Sequence, residues 1–458
     1  MENIDTGQGI SDAEDPYKAG KQAAKEAMEN YDGEEKPDIG FVFCSGSKYG
    51  KNDETIEKFV EGVNEEFGDI EWVGATSAGE ISKEGFTQGT AVATVISSEM
   101  MYWGINVEEI DEENPEESGK KAAQGALDNL DIDKTVHSYS QYQFLKNADT
   151  SEMMSADSYN MIVLAQGPGT EAGGFGQHVR LLKGIKDVIK ANPVVGGLAG
   201  DDERLLRNYQ IYNGQILSNG IIAVSLVTTL DTGFKMAHGY KSQGEIALAT
   251  DVDVNVVGKL NNSPAAEEYA NMLDKDLNDL LPKSLKVLRK LKLEKGVLKL
   301  MQKRGKNIFE EHPLAEQAVR HPLGFSDESG NIWIKTPADI LEGKKLKFLN
   351  EVPENSALQL LSYGSDEVYE TSKSTIEKIK SDISHSGLIF AFECFQRLNL
   401  FEEEVRDLSD EYTVGGNCIP LGFATYGEIG TSSEGVSGGQ TITLTSMGVS
   451  DKVFKEED

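Results

Sequence analysis

The sequence has few cysteines and no long apolar run. Its three cysteines are odd in number and widely spaced, which argues against a disulfide framework and favours a reducing cytoplasm. No apolar stretch approaches the roughly 20 residues that a membrane-spanning helix needs. The polar, acidic start of the chain lacks the basic and apolar regions of a signal peptide. We therefore expect a soluble, cytoplasmic protein without a membrane span.

Basic residues are scarce beside acidic ones, with 44 Lys and Arg against 77 Asp and Glu and a net charge of −33. Such a field repels nucleic acid and anionic membranes, so neither is an expected partner. The exception is Lys283–Lys306, which holds ten Lys or Arg and one acid. It fits either a helix packed by its apolar side on the acidic body or an adaptor surface for a partner.

Recognisable catalytic and metal-binding motifs are also missing. There is no GxSxG, HExxH or P-loop pattern, and the six histidines do not cluster with cysteines. Cys44 and Cys394 end corresponding predicted strands, where each is a buried small hydrophobe, a soft ligand or a nucleophile. The glycine-rich stretch over residues 167–174 precedes a predicted helix and is either a flexible loop or a place for an anion. We expect a non-enzymatic protein, with an enzyme using Cys394 and a histidine as an alternative.

Internal repeats organise the chain. Residues 15–32 align with residues 114–131 without gaps and are identical at eight of eighteen positions. Both copies begin with a capping residue and a proline, Asp15-Pro16 and Asn114-Pro115, as helices often do. Each copy continues as strand, helix, strand, Gly-acid turn and strand, and a third copy follows near the C-terminus. This pattern predicts an α/β fold in which mixed β-sheets are flanked by helices and are built from pseudo-repeated units.

The same pattern divides the chain into segments. We expect a flexible acidic N-terminus, an N-terminal domain of two units, a C-terminal domain with a basic helical insert, and a charged tail. These segments cover residues 1–14, 15–232 (units 15–100 and 114–228), 233–450 (insert 281–307) and 451–458.

A glycine followed by an acid closes the second strand of each copy, at Gly79-Glu80, Gly200-Asp201 and Gly427-Glu428. Glycine there can take positive φ or let the backbone approach a ligand. The carboxylate can hold an amine or cation, or it can cap neighbouring amides. The sequence leaves both interpretations open.

Several segments resemble those of the FIST family. The signatures occur in the family's order at residues 73–81 (VGATSAGEI), 193–202 (PVVGGLAGDD) and 422–430 (GFATYGEIG). Further similar segments lie at residues 237–245, 256–273 and 392–397, so the resemblance covers roughly residues 35–450. Two positions depart from the family. Ala75 stands where many relatives carry cysteine, and residues 438–441 (GGQT) replace an expected His-Asn-x-Thr pattern.

The resemblance implies a sensory domain that binds a small ligand such as an amino acid and acts through a separate signalling output protein. Some members are haem-binding nitric oxide sensors, which is the alternative, although we expect no cofactor here. By position, the resemblance implies ligand-binding roles for Gly79, Glu80, Gly200, Asp201, His238, Cys394, Arg397, Tyr426, Gly427 and Glu428. We expect Arg397 to take an anionic group and Glu428 or Glu80 a cationic one. The competing explanation is that Arg397 and Glu428 pair with each other.

Overall fold

The computed structural model describes residues 3–131, 159–169, 177–281, 313–328, 330–383, 386–400, 418–432 and 435–453. These residues form an α/β fold of four mixed or antiparallel β-sheets flanked by helices. The predicted fold class is therefore confirmed. The basic stretch 283–306 and residues 170–176 lie outside the described residues.

The first unit begins with a strand. Its elements are β1 (Asp5–Ser11), α1 (Pro16–Glu29), β2 (Ile39–Ser45), α2 (Asp53–Phe67), β3 (Glu71–Ser77), β4 (Glu80–Ser82), β5 (Gly85–Thr87) and β6 (Ala91–Ser97). The expectation of a flexible segment over residues 1–14 is wrong, because β1 pairs with β6 along its whole length. Gly7 and Gly9 explain this: a Cβ there would lie 2.1 and 2.2 Å from carbonyl oxygens of α1, so only glycine lets β1 pass beneath that helix.

The second unit repeats this order. Its elements are β7 (Met101–Glu109), α3 (Pro115–Asp128), β8 (Tyr159–Ala165), α4 (Gln177–Ile189), β9 (Val194–Leu198), β10 (Gln210–Tyr212), β11 (Gln215–Leu217) and β12 (Gly220–Thr228). The predicted caps differ between the two copies. Asp15 accepts a hydrogen bond from the Lys18 amide at 2.9 Å, as an N-cap should. Asn114 makes no side-chain cap bond, so its predicted capping role is wrong.

The third unit is interrupted by an inserted sheet. After β13 (Leu230–Ala237) come β14 (Lys241–Asp253), β15 (Val256–Leu260), β16 (Ser263–Pro264), α5 (Ala265–Met272), α6 (Pro313–Arg320), β17 (Leu323–Ser326), β18 (Ile332–Lys335), β19 (Pro337–Ile340), β20 (Leu346–Phe348) and β21 (Ala357–Ser362). The unit then resumes with α7 (Ser365–Asp382), β22 (Ser386–Cys394), α8 (Phe395–Leu400), β23 (Ile419–Thr425), β24 (Glu428–Thr431), β25 (Ser437–Gln440) and β26 (Leu444–Val453). Two single-turn 3₁₀ helices span Leu277–Leu280 and Glu342–Lys344.

Extended to the third unit, the repeat pattern predicts a helix near residues 400–412 and a last strand over residues 441–445. The predicted bounds of the strand are wrong, because it begins at Leu444 and continues to Val453, into the predicted tail. Its start is displaced because residues 437–440 form the second strand of a hairpin with β24. The helix predicted near residues 400–412 lies outside the described residues, apart from Leu400.

Three six-stranded sheets share one strand order. Each begins with four strands of a single unit, in the orders β1-β6-β2-β3, β7-β12-β8-β9 and β13-β26-β22-β23. Each is completed by a hairpin from another unit: β10-β11 joins the first sheet, β24-β25 the second and β4-β5 the third. The hairpins are thus exchanged in a closed cycle. Because a hairpin follows each Gly-acid turn, the exchange brings the three turns to the centre of the molecule.

One glycine in each sheet fits the second strand closely against the first. Gly74, Gly196 and Gly422 pair in register with residues of the parallel neighbouring strand. A Cβ at these positions would lie 2.2, 2.0 and 1.7 Å from a carbonyl oxygen of that strand. Such contacts are far shorter than van der Waals distance, so each sheet requires glycine at this position.

The inner faces of the three sheets pack on one another and form the central core. Phe41 of the first sheet contacts Phe390 of the third edge to face, with ring centroids 5.3 Å apart. Buried aliphatic residues of the second sheet, such as Leu164 and Val224, complete the same cluster. The inserted sheet has a separate core around Tyr269 and Phe348. The insert is therefore a second layer attached beside the third unit.

Candidate functional site

The three Gly-acid turns meet at the carboxyl ends of β3, β9 and β23 and are joined by backbone hydrogen bonds. Each turn bonds to the next one around the cycle. The bonds run from Ala78 N to Ala424 O (3.0 Å), from Gly200 N to Thr76 O (2.9 Å) and from Leu198 N to Gly427 O (2.9 Å). The sequence predicted each Gly-acid turn at the end of the second strand of its unit, and each turn lies there in the structure. The three turns therefore contact one another directly.

The glycines of the turns serve this packing. A Cβ at Gly79 would lie 2.3 Å from the Phe86 ring, and one at Gly427 would lie 2.9 Å from Leu198. A Cβ at Gly200 would approach the Ala78 amide nitrogen to 3.0 Å. All these neighbours belong to the protein, so the turns need glycine whether or not a ligand binds.

Glu428 is fully buried and hydrogen-bonded within its own unit. Its carboxylate accepts bonds from the Thr425 hydroxyl at 2.6 Å and from the Thr443 hydroxyl and amide at 2.7 and 3.1 Å. Burial raises the pKa of Glu428 to about 8, although these donors lower it. Glu428 therefore joins the turn before the β24-β25 hairpin to the residue that precedes β26.

Glu80 has the same surroundings in the first unit. It accepts bonds from the Ser77 hydroxyl and from the hydroxyl and amide of Thr90. Burial, and then the charge of Asp202, raise the pKa of Glu80 to about 8. The spacing Ser/Thr-x-x-Glu is common to both turns. From this spacing the Ser77 and Thr425 hydroxyl partners could have been predicted in the sequence.

Asp201 occupies the corresponding turn of the second unit and caps a loop. Its two oxygens accept bonds from the amides of Leu205, Leu206 and Arg207 at 2.8, 2.8 and 3.1 Å. The Tyr426 hydroxyl donates to it at 2.6 Å, which joins the second and third units. Burial raises the pKa of Asp201 to about 6. In all three turns every carboxylate oxygen accepts a bond from the protein, which matches the capping interpretation of these acids.

Arg397 is buried and pairs with Glu393 rather than with Glu428. Its Nε lies 2.8 Å from a Glu393 oxygen, one helical turn earlier in sequence. Its terminal nitrogens donate to the His238 carbonyl oxygen at 3.0 Å and to the Ser372 hydroxyl. The alternative in which Arg397 and Glu428 form an ion pair is therefore wrong. The guanidinium holds β13, α7 and β22 together and supports the backbone at His238 from behind.

His238 has a defined tautomer. Its Nδ1 accepts the Tyr240 amide at 2.9 Å, so Nε2 carries the proton and donates to the Ile332 carbonyl oxygen at 3.1 Å. Burial, and then the nearby charge of Arg397, lower the pKa of His238 to about 4. The ring is therefore neutral at physiological pH, and both of its nitrogens are engaged.

The two cysteines that end β2 and β22 are enclosed. Cys44 and Cys394 are buried, and burial raises the pKa of each thiol well above its usual value. Cys394 and Tyr426 border a crevice of about 20 Å³, room for about one water molecule. At neutral pH these thiols are protonated and weakly nucleophilic.

A larger cleft lies beside His238, between the third unit and the inserted sheet. It has a volume of about 320 Å³. Its walls come from β13, β18, α7 and the β24-β25 hairpin, and include Met236, His238, Asn331, Trp333, Thr371 and Gln440. The sequence reasoning found only His238 of this set. The other wall residues come from outside the repeated turns, so the repeat pattern carried no signal for them.

Two kinds of feature are absent from the described residues. No group of three or more His, Cys, Asp or Glu there is arranged to hold a metal ion. No helix within the described ranges is long and apolar enough to cross a membrane.

Comparisons with known proteins were made for the whole chain. A family model described as the FIST N domain matches residues 7–263, and one described as the FIST C domain matches residues 265–431. An uncharacterized protein of Methanocaldococcus jannaschii is 27% identical over 258 residues, which cover 52% of this chain and 44% of that protein. The chain therefore spans less than half the length of this relative. The two family matches meet at residues 263–265, later than the 232–233 boundary expected from the repeats.

Proposed function

The chain belongs to the FIST family, and we propose that it is a sensory protein that binds an amino-acid-like ligand in the His238 cleft. FIST domains are associated with signal transduction and with the sensing of small ligands. The single observation that carries the proposal is the cleft of about 320 Å³ between the third unit and the inserted sheet. Ligand pockets usually have volumes of about 300–1,000 Å³ and often lie where two parts of a protein meet.

The chemistry of the cleft suits a small molecule with both apolar and polar groups. Trp333 and Met236 supply apolar wall surface, while Asn331, Thr371 and Gln440 supply amide and hydroxyl groups. Apolar walls with a few placed polar groups are typical of specific small-ligand sites. A ligand seated there would touch both layers at once, so its binding would change how the inserted sheet sits on the third unit.

In this proposal the predicted turn residues act from behind the site. Arg397 fixes the backbone at His238, and the Gly-acid turns fix the strands that carry the walls. A signal would pass to a separate output protein, and we propose no catalytic step.

Haem does not fit the His238 cleft. An axial histidine must offer a lone pair, but Nδ1 of His238 accepts the Tyr240 amide and Nε2 carries a proton that is donated to Ile332. Binding iron there would break one of these bonds within the core. An enzyme that uses Cys394 has little support as well, because the thiol is enclosed and its pKa is raised.

The proposal is tested by filling the cleft. Thr371 lies on α7 and lines the cleft, whereas Ser374 is exposed one turn later on the same helix. A panel of amino acids would be titrated by calorimetry against Thr371→Tyr, Ser374→Tyr and the unmodified protein. We expect an amino acid that binds the unmodified protein and Ser374→Tyr equally, and Thr371→Tyr at least about tenfold more weakly.

Trp333 supplies a second readout. It lines the cleft, so a bound ligand should change its fluorescence, and Trp333→Phe should abolish that change. Trp103→Phe is the control, because Trp103 lies on β7 and does not line the cleft. Two results would reject the site: full binding by Thr371→Tyr, or a fluorescence change that survives Trp333→Phe. Failure of every amino acid in the panel to bind would reject the ligand class.

A further inference from the structure

A group of unpaired polar side chains lies where the first turn of α4 packs against β25. His178 continues the buried face of α4 and is only 2% exposed. Among the described residues, neither of its ring nitrogens has a hydrogen-bond partner. The ring lies against the backbone of β25, since a Cβ at Gly439 would be 2.8 Å from its Cδ2. Unpaired buried polar groups are rare in proteins and call for a bound water or ligand.

Lys335 lies at the end of β18 and is 5% exposed. Within the described part of the chain, its ammonium makes no hydrogen bond or ion pair; its nearest aromatic contact is the Phe325 ring, 5.3 Å away. Burial lowers the pKa of Lys335 to about 8, and the charge of Glu351 offsets this only in part. A lysine this enclosed normally has an anionic partner.

Hydrogen bonds join residues that neighbour the two groups in the chain. The Ile334 amide donates to the Gln440 side chain at 3.0 Å, and the Asn350 amide group donates to the Ile334 carbonyl at 3.0 Å. Gln440 follows Gly439, which lies against the His178 ring, and Ile334 precedes Lys335. The Asn350 carbonyl oxygen is enclosed and has no partner. Consistent with this proximity, the charge of Lys335 contributes, after burial, to lowering the pKa of His178 to about 3.

We propose that Lys335, His178 and Asn350 form a second binding site, for a small 2-hydroxy monocarboxylate. The Lys335 ammonium takes the carboxylate, neutral His178 donates its one N–H to it, and the Asn350 oxygen accepts the hydroxyl. A single positive charge balances a monoanion better than a dianion. A hydroxyl suits the position beside Asn350 better than an ammonium would, because Lys335 repels a second cation in a region of low dielectric.

The position of the site on α4 strengthens this assignment. His178 is in the first turn of a 13-residue helix, where the helix dipole favours an anion. The site is separate from the His238 cleft, although β18 contributes residues to both. A ligand at Lys335 would hold the C-terminal end of the strand whose other residues line that cleft.

The test uses L-lactate as the probe, in a chloride-free buffer, with L-alanine, acetate, chloride and inorganic phosphate as comparisons. Calorimetry on Thr371→Tyr, in which the His238 cleft is filled, should show lactate binding at least about tenfold tighter than each of the others. Lys335→Met should weaken lactate binding by about tenfold or more. Lys344→Met is the matched control, because Lys344 is exposed and pairs with Glu267, and it should bind lactate as the unmodified protein does.

A second measurement works on the unmodified protein, in case Lys335→Met does not fold. Acetylation of each lysine by acetic anhydride would be followed by mass spectrometry, and lactate should slow the modification of Lys335 but not of Lys344. The proposal is rejected if no probe binds, if chloride or phosphate binds as well as lactate, or if Lys335 is not protected. Thr371→Tyr should leave lactate binding unchanged, so the two sites can fail independently.

Discussion

Replacing Arg397 by methionine would remove the cation that pairs with buried Glu393. The two side chains are 1% and 3% exposed, so solvent screens them little. Loss of one partner of a buried ion pair costs about 3–5 kcal/mol, because the remaining charge stays in a region of low dielectric. Arg397→Met also removes the donors to the His238 carbonyl and the Ser372 hydroxyl. We therefore expect a loss of about 4 kcal/mol in the free energy of unfolding.

The chain provides a matched control on α2. Lys58 and Glu54 have the same four-residue spacing and lie 2.7 Å apart, but their side chains are 53% and 77% exposed. An exposed pair of this kind contributes little, because solvent screens both charges. Lys58→Met should therefore lower the free energy of unfolding far less than Arg397→Met does. Burial is the main difference between the two pairs.

Urea unfolding, followed by circular dichroism, measures both effects at a constant m-value. The double variant Arg397→Met/Glu393→Leu should be more stable than Arg397→Met, because it also removes the buried carboxylate that has lost its cation. The reasoning is refuted if Arg397→Met is as stable as Lys58→Met. If Arg397→Met were as stable as the unmodified protein but no longer bound ligand, Arg397 would be a direct ligand contact, as the family resemblance first implied.

Four further predictions follow from the turns and the sequence. Glu80 and Glu428 have folded pKa values raised to about 8 from an ordinary 4.5, so the folded state holds more protons between these values. The free energy of unfolding should thus fall as pH rises from about 4.5 to 8, by up to about 1.4 kcal/mol per pH unit for each carboxyl. Urea unfolding at a series of pH values should show a shallower fall for Glu428→Gln than for the unmodified protein. Equal slopes for the two proteins would contradict this prediction. Gly422→Ala should prevent the third sheet from closing, because its Cβ would lie 1.7 Å from a carbonyl oxygen. Gly89 has open space around it and a φ of +72°. Gly89→Ala should therefore lower the free energy of unfolding by only about 1 kcal/mol. Protein purified from haem-sufficient cells should show no Soret band, and a near-stoichiometric band would instead favour the haem alternative. Deleting residues 283–306 should leave a cooperative thermal transition, and its loss would show that this segment belongs to the core.

The sequence by itself determined the family, the α/β class and the repeated Gly-acid turns. Local signals carried this information. Apolar runs of strand length alternate with helical patterns, and a glycine before an acid marks each turn. The Ser/Thr-x-x-Glu spacing could also have predicted the Ser77 partner of Glu80 and the Thr425 partner of Glu428, because each hydroxyl lies within the same turn as its acid.

Only the tertiary structure decided what the predicted residues contact. Arg397 pairs with Glu393 and not with Glu428, and this depends on how α8 leaves β22. The sequence of a unit did not predict that its hairpin joins the sheet of another unit. The same sequence pattern fits a hairpin that pairs with the sheet of its own unit equally well. Lys335 and His178 are 157 residues apart in the sequence, and no periodicity relates them. Their proximity arises because the inserted sheet packs against the second unit, a long-range contact set by packing and not by local pattern.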